Sequence, residues 1–190
     1  MHPQYVLENG VDFAHFKYVH QTPIVPVFIR HDFDGDISYV DFTITFEGDT
    51  NQSIDDVKSG VEAINGGLGI AVTKSWGMVD NRTISAITPV DDRTSDVRFM
   101  VYIGRPAGRA AKDPERAETK AREFGEEVIR QFAQDVHIWQ HQRYSDPPAL
   151  ANAEQEGFTA IRKWAMKFYP DGLGGSAADL QSASERVQQN

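Results

Sequence analysis

From Pro23 to Ile103 the chain is a succession of short β-rich runs broken by turn residues, a texture that argues for an antiparallel sheet over alternating βα units. Val25 to His31 reads as the first strand. Tyr39 to Phe46 alternates with period two, and the Asp34-Gly35 turn signal between these runs predicts that they pair as neighbours. Asn65-Gly66-Gly67 marks a turn before a strand over Leu68 to Trp76, and Arg82 to Thr88 and Asp96 to Ile103 read as two more. The sheet is thus expected to hold five or more strands, and the class is α+β.

The sheet region is flanked by helical patterns. Leu7 to His20 reads as an opening helix, with Asp12, His15, Phe16 and Val19 on one face. After a loop from Pro106 to Lys112, Asp113-Pro114 supplies an N-cap and a first helical residue. The helix should run to about Trp139, because Ala117, Ala121, Phe124, Val128, Phe132 and Trp139 keep the spacing of a buried stripe, with Asp135 set among them. A shorter helix is expected from about Asn152 to Phe168. The Gly-, Ser- and Gln-rich stretch after Pro170 has little to bury and reads as a flexible tail over residues 171–190.

Composition removes several function classes. The sequence has no cysteine, so disulfides, thiolate zinc sites, a cysteine nucleophile and thiolate-held clusters are excluded, and any metal must use nitrogen and oxygen ligands. A formal charge of -9 without a basic stripe disfavours nucleic acid as a partner. No apolar run approaches the roughly 18 residues of a membrane span, and Met1-His2-Pro3-Gln4 does not open a signal peptide; a soluble, cytoplasmic protein is expected.

The candidate chemistry lies in two places. Asp135 on an apolar stripe needs a hydrogen-bond network, a cation or a metal, and Asp12 on the first helix poses the same question. Two imidazoles and one carboxylate on one side of iron(II) form the facial triad that leaves open positions for dioxygen and substrate approach, and His15 and His20 with one of the two carboxylates, Asp12 or Asp135, can supply that set. A buried polar network is the competing reading of the same residues. His15 and His20 are five residues apart, about 140° around a regular helix, so convergence requires a π-bulge or a His20 beyond the helix end. The other histidines carry blander expectations. His31 is expected to be an edge-exposed residue, the alternative being a group that hydrogen-bonds a metal ligand, while His137 and His141 cap a helix end. Trp76, Trp139 and Trp164 read as packing anchors, and Asp55-Asp56 and Asp91-Asp92 as solvated turns.

The run Glu8-Asn9-Gly10-Val11-Asp12-Phe13-Ala14-His15-Phe16-Lys17-Tyr18-Val19-His20 resembles the D-x-x-H-x-x-x-x-H segment of Rieske non-haem iron oxygenase α-subunits. Its E-N-x-x-D-x-x-H-F-x-x-x-H form is that of 3-ketosteroid 9α-hydroxylase oxygenases and the related cholesterol desaturases. Thr88-Pro89-Val90-Asp91 is similar to the strand-end motif of that group. Gln134 to Trp139, Arg143-Tyr144, Arg162-Lys163-Trp164 and Phe168-Tyr169 are similar to its carboxy-terminal pattern. The resemblance implies a helix-grip fold (Bet v1-like or START-like) over residues 1–170, with His15, His20 and Asp135 as ligands of a mononuclear Fe(II) and Asp12 as the aspartate that bridges the incoming electron path. It also implies hydroxylation, demethylation or desaturation of a hydrophobic polycyclic substrate with O2, electrons from a Rieske [2Fe-2S] cluster on a neighbouring subunit, and a homotrimer.

One departure from the family pattern is plain: a chain without cysteine cannot hold the Rieske cluster, so the N-terminal Rieske domain is absent from it. An excised domain is the expectation, with a separate Rieske domain or ferredoxin/reductase partner as electron donor, and alone the chain should be silent with a physiological reductase. Val25 to Ile29, Phe42 to Phe46, Leu68 to Val72 and Phe99 to Val101 could line a substrate cavity, although core is the better expectation for any one residue. Two other classes remain open from sequence: a metal-free helix-grip module binding a sterol or other hydrophobic ligand, and an interaction subunit that only completes an oligomer.

Overall fold

The computed structural model describes residues 1–22, 25–43, 59–76, 80–91, 94–104, 112–145 and 147–169. The expected tail and most of the 106–112 loop lie outside these residues, as do residues 44–46, Asp55-Asp56 and Asp92. The opening segment is two short helices, α1 (Pro3–Asn9) and α2 (Phe13–Tyr18), in place of one helix from Leu7 to His20. Gly10 closes α1, its N–H reaching the Leu7 carbonyl at 3.2 Å. Asp12 then caps α2, accepting from the His15 N–H at 3.2 Å. Its short carboxylate satisfies an otherwise orphaned helix N–H, and that capping preference outcompetes continuation of the first helix. Because α2 ends at Tyr18, His20 lies beyond the helix and no π-bulge is needed.

Six strands follow: β1 (Val27–Asp34), β2 (Ile37–Thr43), β3 (Gly60–Gly66), β4 (Ile70–Trp76), β5 (Asn81–Pro89) and β6 (Ser95–Ile103). They form one antiparallel meander in sequence order. Gly35 in the β1–β2 loop and Gly67 in the β3–β4 loop both have φ near +54°, a conformation that a Cβ disfavours. Strand β3 escaped the sequence reading because Gly60, Glu62, Ala63, Asn65 and Gly66 are weak strand formers; two paired neighbours override that local preference. A Cβ on the buried Gly60 would lie 2.5 Å from the Trp76 ring and 3.0 Å from the Phe42 carbonyl oxygen. Gly60→Ala is therefore expected to cost about 1–3 kcal/mol, read as a lower urea midpoint at unchanged slope.

Helix α3 (Pro114–Trp139) starts and stops where its signals place it, with the Asp113 carboxylate accepting from the Arg116 N–H at 3.1 Å. It rests on the inner sheet face through Phe132, stacked on Phe99 of β6 at 4.0 Å between ring centroids. Its stripe is only half-buried along most of its length; Asp135 and Trp139 alone are fully buried. The densest core lies instead under α4 (Gln155–Ala165), where Phe158, Ile161, Trp164 and Ala165 meet Leu7 and Val11 near α1, Phe13 of α2, and Val40, Phe42 and Val61 of the sheet. Within that core Glu8, its side chain 2% exposed, takes the Arg162 guanidinium at 2.8 and 3.1 Å and the Gln4 amide at 2.7 Å. This ion pair ties α1 to α4. The whole is an α+β helix-grip arrangement, a curved antiparallel sheet held by helices on one face.

Candidate metal centre

Three segments far apart in the chain bring side chains to one point: His15 from the last turn of α2, His20 just past it, and Asp135 one turn before the end of α3. One ligand atom from each lies within 4.8 Å of the others. The two imidazole rings stand 5.0 Å apart at 80°, so their nitrogens aim from different directions at a shared volume. Phe16 covers both rings, at 4.2 Å from His15 and 5.7 Å from His20, and supplies an apolar wall.

Each imidazole is oriented by its far nitrogen. His15 Nδ1 donates to the Asp12 carbonyl, which accepts only, so the ring's lone pair is on Nε2. His20 Nδ1 lies 3.2 Å from Gln134 Oε1, and its Nε2 faces Asp135 Oδ1 at 3.2 Å. That last approach is an ion-pair contact, and Asp135 Oδ1 is otherwise a buried oxygen with no hydrogen-bond partner among the described residues. The Asn9 amide nitrogen takes up part of the remaining space, 3.3 Å from His15 Nε2 and 3.5 Å from Asp135 Oδ2. Two lone pairs and an orphaned carboxylate oxygen aimed at one volume form a donor set that a divalent cation satisfies. The residues present fit an iron(II) facial triad.

Electrostatics differ between the two histidines. Burial pushes the His15 pKa down, and the nearby Asp135 charge only partly opposes it. Burial also acts against charge on His20, but the contact with Asp135 and its charge outweigh it, and the pKa is raised. Asp12 is not one of the three grouped ligand residues. Its carboxyl is raised by burial and lies beside Glu154 at the start of α4, itself raised by burial and by the Asp12 charge. The sequence reading missed Asn9, Gln134 and Glu154; only the adjacency of Gln134 to Asp135 and of Asn9 to the Asp12 motif could have drawn attention to them.

The remaining expectations fall as follows. His31 is half-buried on the inner face, although its strand is an edge: its ring stacks on Phe28 and its Nε2 has no partner. His141 Nδ1 reaches the His137 carbonyl at 2.8 Å, as expected of a helix-end cap. Trp139 and Trp164 are packing anchors, 3% and 6% exposed. An open cleft of about 500 Å³ is lined by Val19, just past α2, and by Arg130, Ala133, Gln134, His137 and Ile138 of α3. Gln134 thus has the cleft on one side and His20 on the other.

A family model described as the 3-ketosteroid 9alpha-hydroxylase C-terminal domain matches residues 1–169. The chain belongs to that family. An oxygenase component of 3-ketosteroid-9-alpha-monooxygenase from Rhodococcus rhodochrous is 29% identical over 189 aligned residues, covering 90% of this chain and 46% of the relative. Proteins of the same description from Mycolicibacterium smegmatis and Mycobacterium tuberculosis are 27% and 26% identical, each covering 87% of the chain and 44% of the relative. The chain spans less than half the length of the curated relatives it matches.

Proposed function

We propose that the chain is the iron(II)-holding catalytic domain of an oxygenase component that hydroxylates, demethylates or desaturates a hydrophobic polycyclic substrate of the steroid class. The observation that carries this reading is the meeting of His15, His20 and Asp135, with the buried Asp135 Oδ1 3.2 Å from His20 Nε2 and without a hydrogen-bond partner. The names of the relatives support the substrate class. Iron(II) at this position would supply the activation of dioxygen that oxidation of an unactivated C–H bond demands. The chain's own residues do the rest. His15 and His20 present fixed lone pairs, Asp135 neutralises charge, and Phe16 helps to exclude water. Asn9 joins the ligands, its amide nitrogen 3.3 Å from His15 Nε2 and 3.5 Å from Asp135 Oδ2.

The electrons come from outside this chain, since a Rieske [2Fe-2S] cluster needs cysteine and there is none. A Rieske domain or a ferredoxin/reductase partner is the donor, and a homotrimer of the full-length protein in the cytoplasm is the proposed setting. Asp12 is the proposed bridge from that donor toward the iron; its carbonyl already holds His15. The cleft behind His20 and Gln134 offers the donor an apolar surface next to the ligands.

Metal content decides the matter. The anaerobically iron-loaded protein is expected to hold about one iron per chain by elemental analysis and Asp135→Ala none, with both retaining the same far-ultraviolet circular dichroism. Gln134→Ala, which frees the far nitrogen of His20, is expected to keep the site but weaken iron binding about 10–100-fold. A wild-type chain that binds no iron yet binds sterols would make this a metal-free ligand module instead.

A further inference from the structure

Strands β4 and β5 turn their polar residues inward. The registers that put Val40 and Phe42 of β2 and Phe99 and Val101 of β6 on the inner face also put Ala71, Thr73 and Ser75 of β4 and Asn81, Thr83 and Ser85 of β5 there. The bulky apolar residues of the same two strands, Ile70, Val72 and Ile84, point outward. An antiparallel sheet with one covered face ordinarily shows the reverse, apolar inward and polar outward. Of the six inward residues, Ala71 alone has a side chain that suits a core.

The helices pack to either side of this polar patch. Helix α4 lies over Val40, Phe42 and Val61 of β2 and β3, while α3 follows β6, with Phe132 on Phe99 and Gly125 over Ile103. Thr83 and Ser85 are nonetheless buried, 9% and 8% exposed. Among the described residues nothing pairs with their hydroxyls or with those of Thr73 and Ser75. Neither the Thr83 nor the Ser85 hydroxyl is sealed in as the Asp135 oxygen is, so both open on internal space. A buried hydroxyl without a partner is costly, and a ligand oxygen that pairs with it removes that cost. The patch also reaches the neighbourhood of the candidate iron ligand: Ser85 pairs with Phe99 across the sheet, Phe99 stacks on Phe132, and Asp135 follows one turn along α3.

The side of α3 that bears Asp135 is apolar by contrast, since helical spacing puts the half-buried Phe124, Val128 and Phe132 there. A ligand between these walls meets hydroxyls on one side and hydrocarbon on the other. Thr73 and Thr83 are direct cross-strand partners, about 5 Å apart, and Ser85 lies about 7 Å farther along β5. Hydroxyls on successive rings of one steroid face stand at similar spacing. We propose, resting on the oxygenase function above, that the substrate is a facially amphipathic steroid with several hydroxyls on one face. Those hydroxyls pair with Thr73, Thr83 and Ser85, and the bare face lies against α3. The three residues thereby determine specificity without touching the iron.

Cholate, whose hydroxyls all lie on one face, and 5β-cholanate, the same acid without them, test this by isothermal titration into the 190-residue chain after anaerobic iron loading. Cholate is expected to bind at least about tenfold more tightly, because a site built for hydroxyls rejects an analogue that lacks them. Thr83→Val/Ser85→Ala is expected to bring cholate down about tenfold, to the level of cholanate, and to leave cholanate binding unchanged. Thr73→Val, on the facing strand, should cost cholate about threefold. Neither variant removes a hydrogen bond of the fold, so the urea midpoint should hold, whereas a structural role would lower it. Equal affinities for the two steroids, meaning that water alone satisfies these hydroxyls, would overturn the proposal. So would binding of neither steroid, or a cholate preference that survives both variants. Iron content of the same samples separates this proposal from the function it rests on: bound iron without a cholate preference sinks the substrate assignment alone, and a cholate preference without iron sinks the oxygenase function.

Discussion

Arg162→Met is expected to destabilise the protein by about 3–5 kcal/mol, because it strands the Glu8 carboxylate in the core with only the Gln4 amide to stabilise it. Against a total stability of about 5–15 kcal/mol for a domain, that loss is large enough to leave a substantial unfolded fraction at room temperature. Arg162 also donates to the Ser145 carbonyl at 2.6 Å and stacks on Tyr144 at 4.5 Å, so its removal loosens the approach to α4 as well as its contact with α1. The informative companion is Glu8→Leu/Arg162→Met, which removes both charges. Urea unfolding should show most of the stability returned in the double variant, since an uncompensated buried charge costs more than the pair contributes. A double variant as unstable as the single would mean that packing around Arg162, and not the charge, holds α1 on α4.

Iron(II) affinity is expected to fall as pH drops, approaching about tenfold per pH unit once His20 is protonated in the metal-free protein. The sign follows from the Asp135 contact. Asp135 raises the His20 pKa above its ordinary value, so the metal competes with a proton that is held more firmly than in a free imidazole. His15 does not add to this in the same range, because burial lowers its pKa. The metal-free fold should respond in opposite ways to the two. His20 contributes stability that is complete below the unfolded-state pKa of about 6.5 and is lost as pH rises through its raised folded value. His15 contributes stability present above about 6.5 and lost as pH falls through its lowered folded value. Isothermal titration of iron under anaerobic conditions at several pH values, with proton release measured in buffers of different ionisation enthalpy, checks the prediction. Asp135→Asn should flatten the pH dependence as well as weaken binding. A pH-independent affinity in the wild type would mean that His20 carries no proton for the metal to displace.

Much of this molecule was legible before any coordinates. Asp113-Pro114 and the spacing through Trp139 placed α3, because a cap and a 3.6-residue period are local signals that need no partner. The β1–β2 hairpin followed from Asp34-Gly35 for the same reason. Asp135 drew attention as a carboxylate on an apolar stripe, and the Asp12-to-His20 motif named its companions.

What sequence could not decide depends on contacts between distant segments. Strand β3 exists because β2 and β4 pair with it on both sides, despite residues that favour no strand. The core lies under α4 and not along α3, since burial is settled by which amphipathic faces find each other, and periodicity reports only that a face exists. The Asn9 and Gln134 contacts, which set the environment of the three candidate ligands, join residues 126 and 114 positions apart. Sequence by itself determined the elements and the chemical inventory, through local backbone preference and residue type. Tertiary structure decided which lone pairs meet, because only chain closure over a hundred residues or more brings His15, His20 and Asp135 to within bonding reach of one ion.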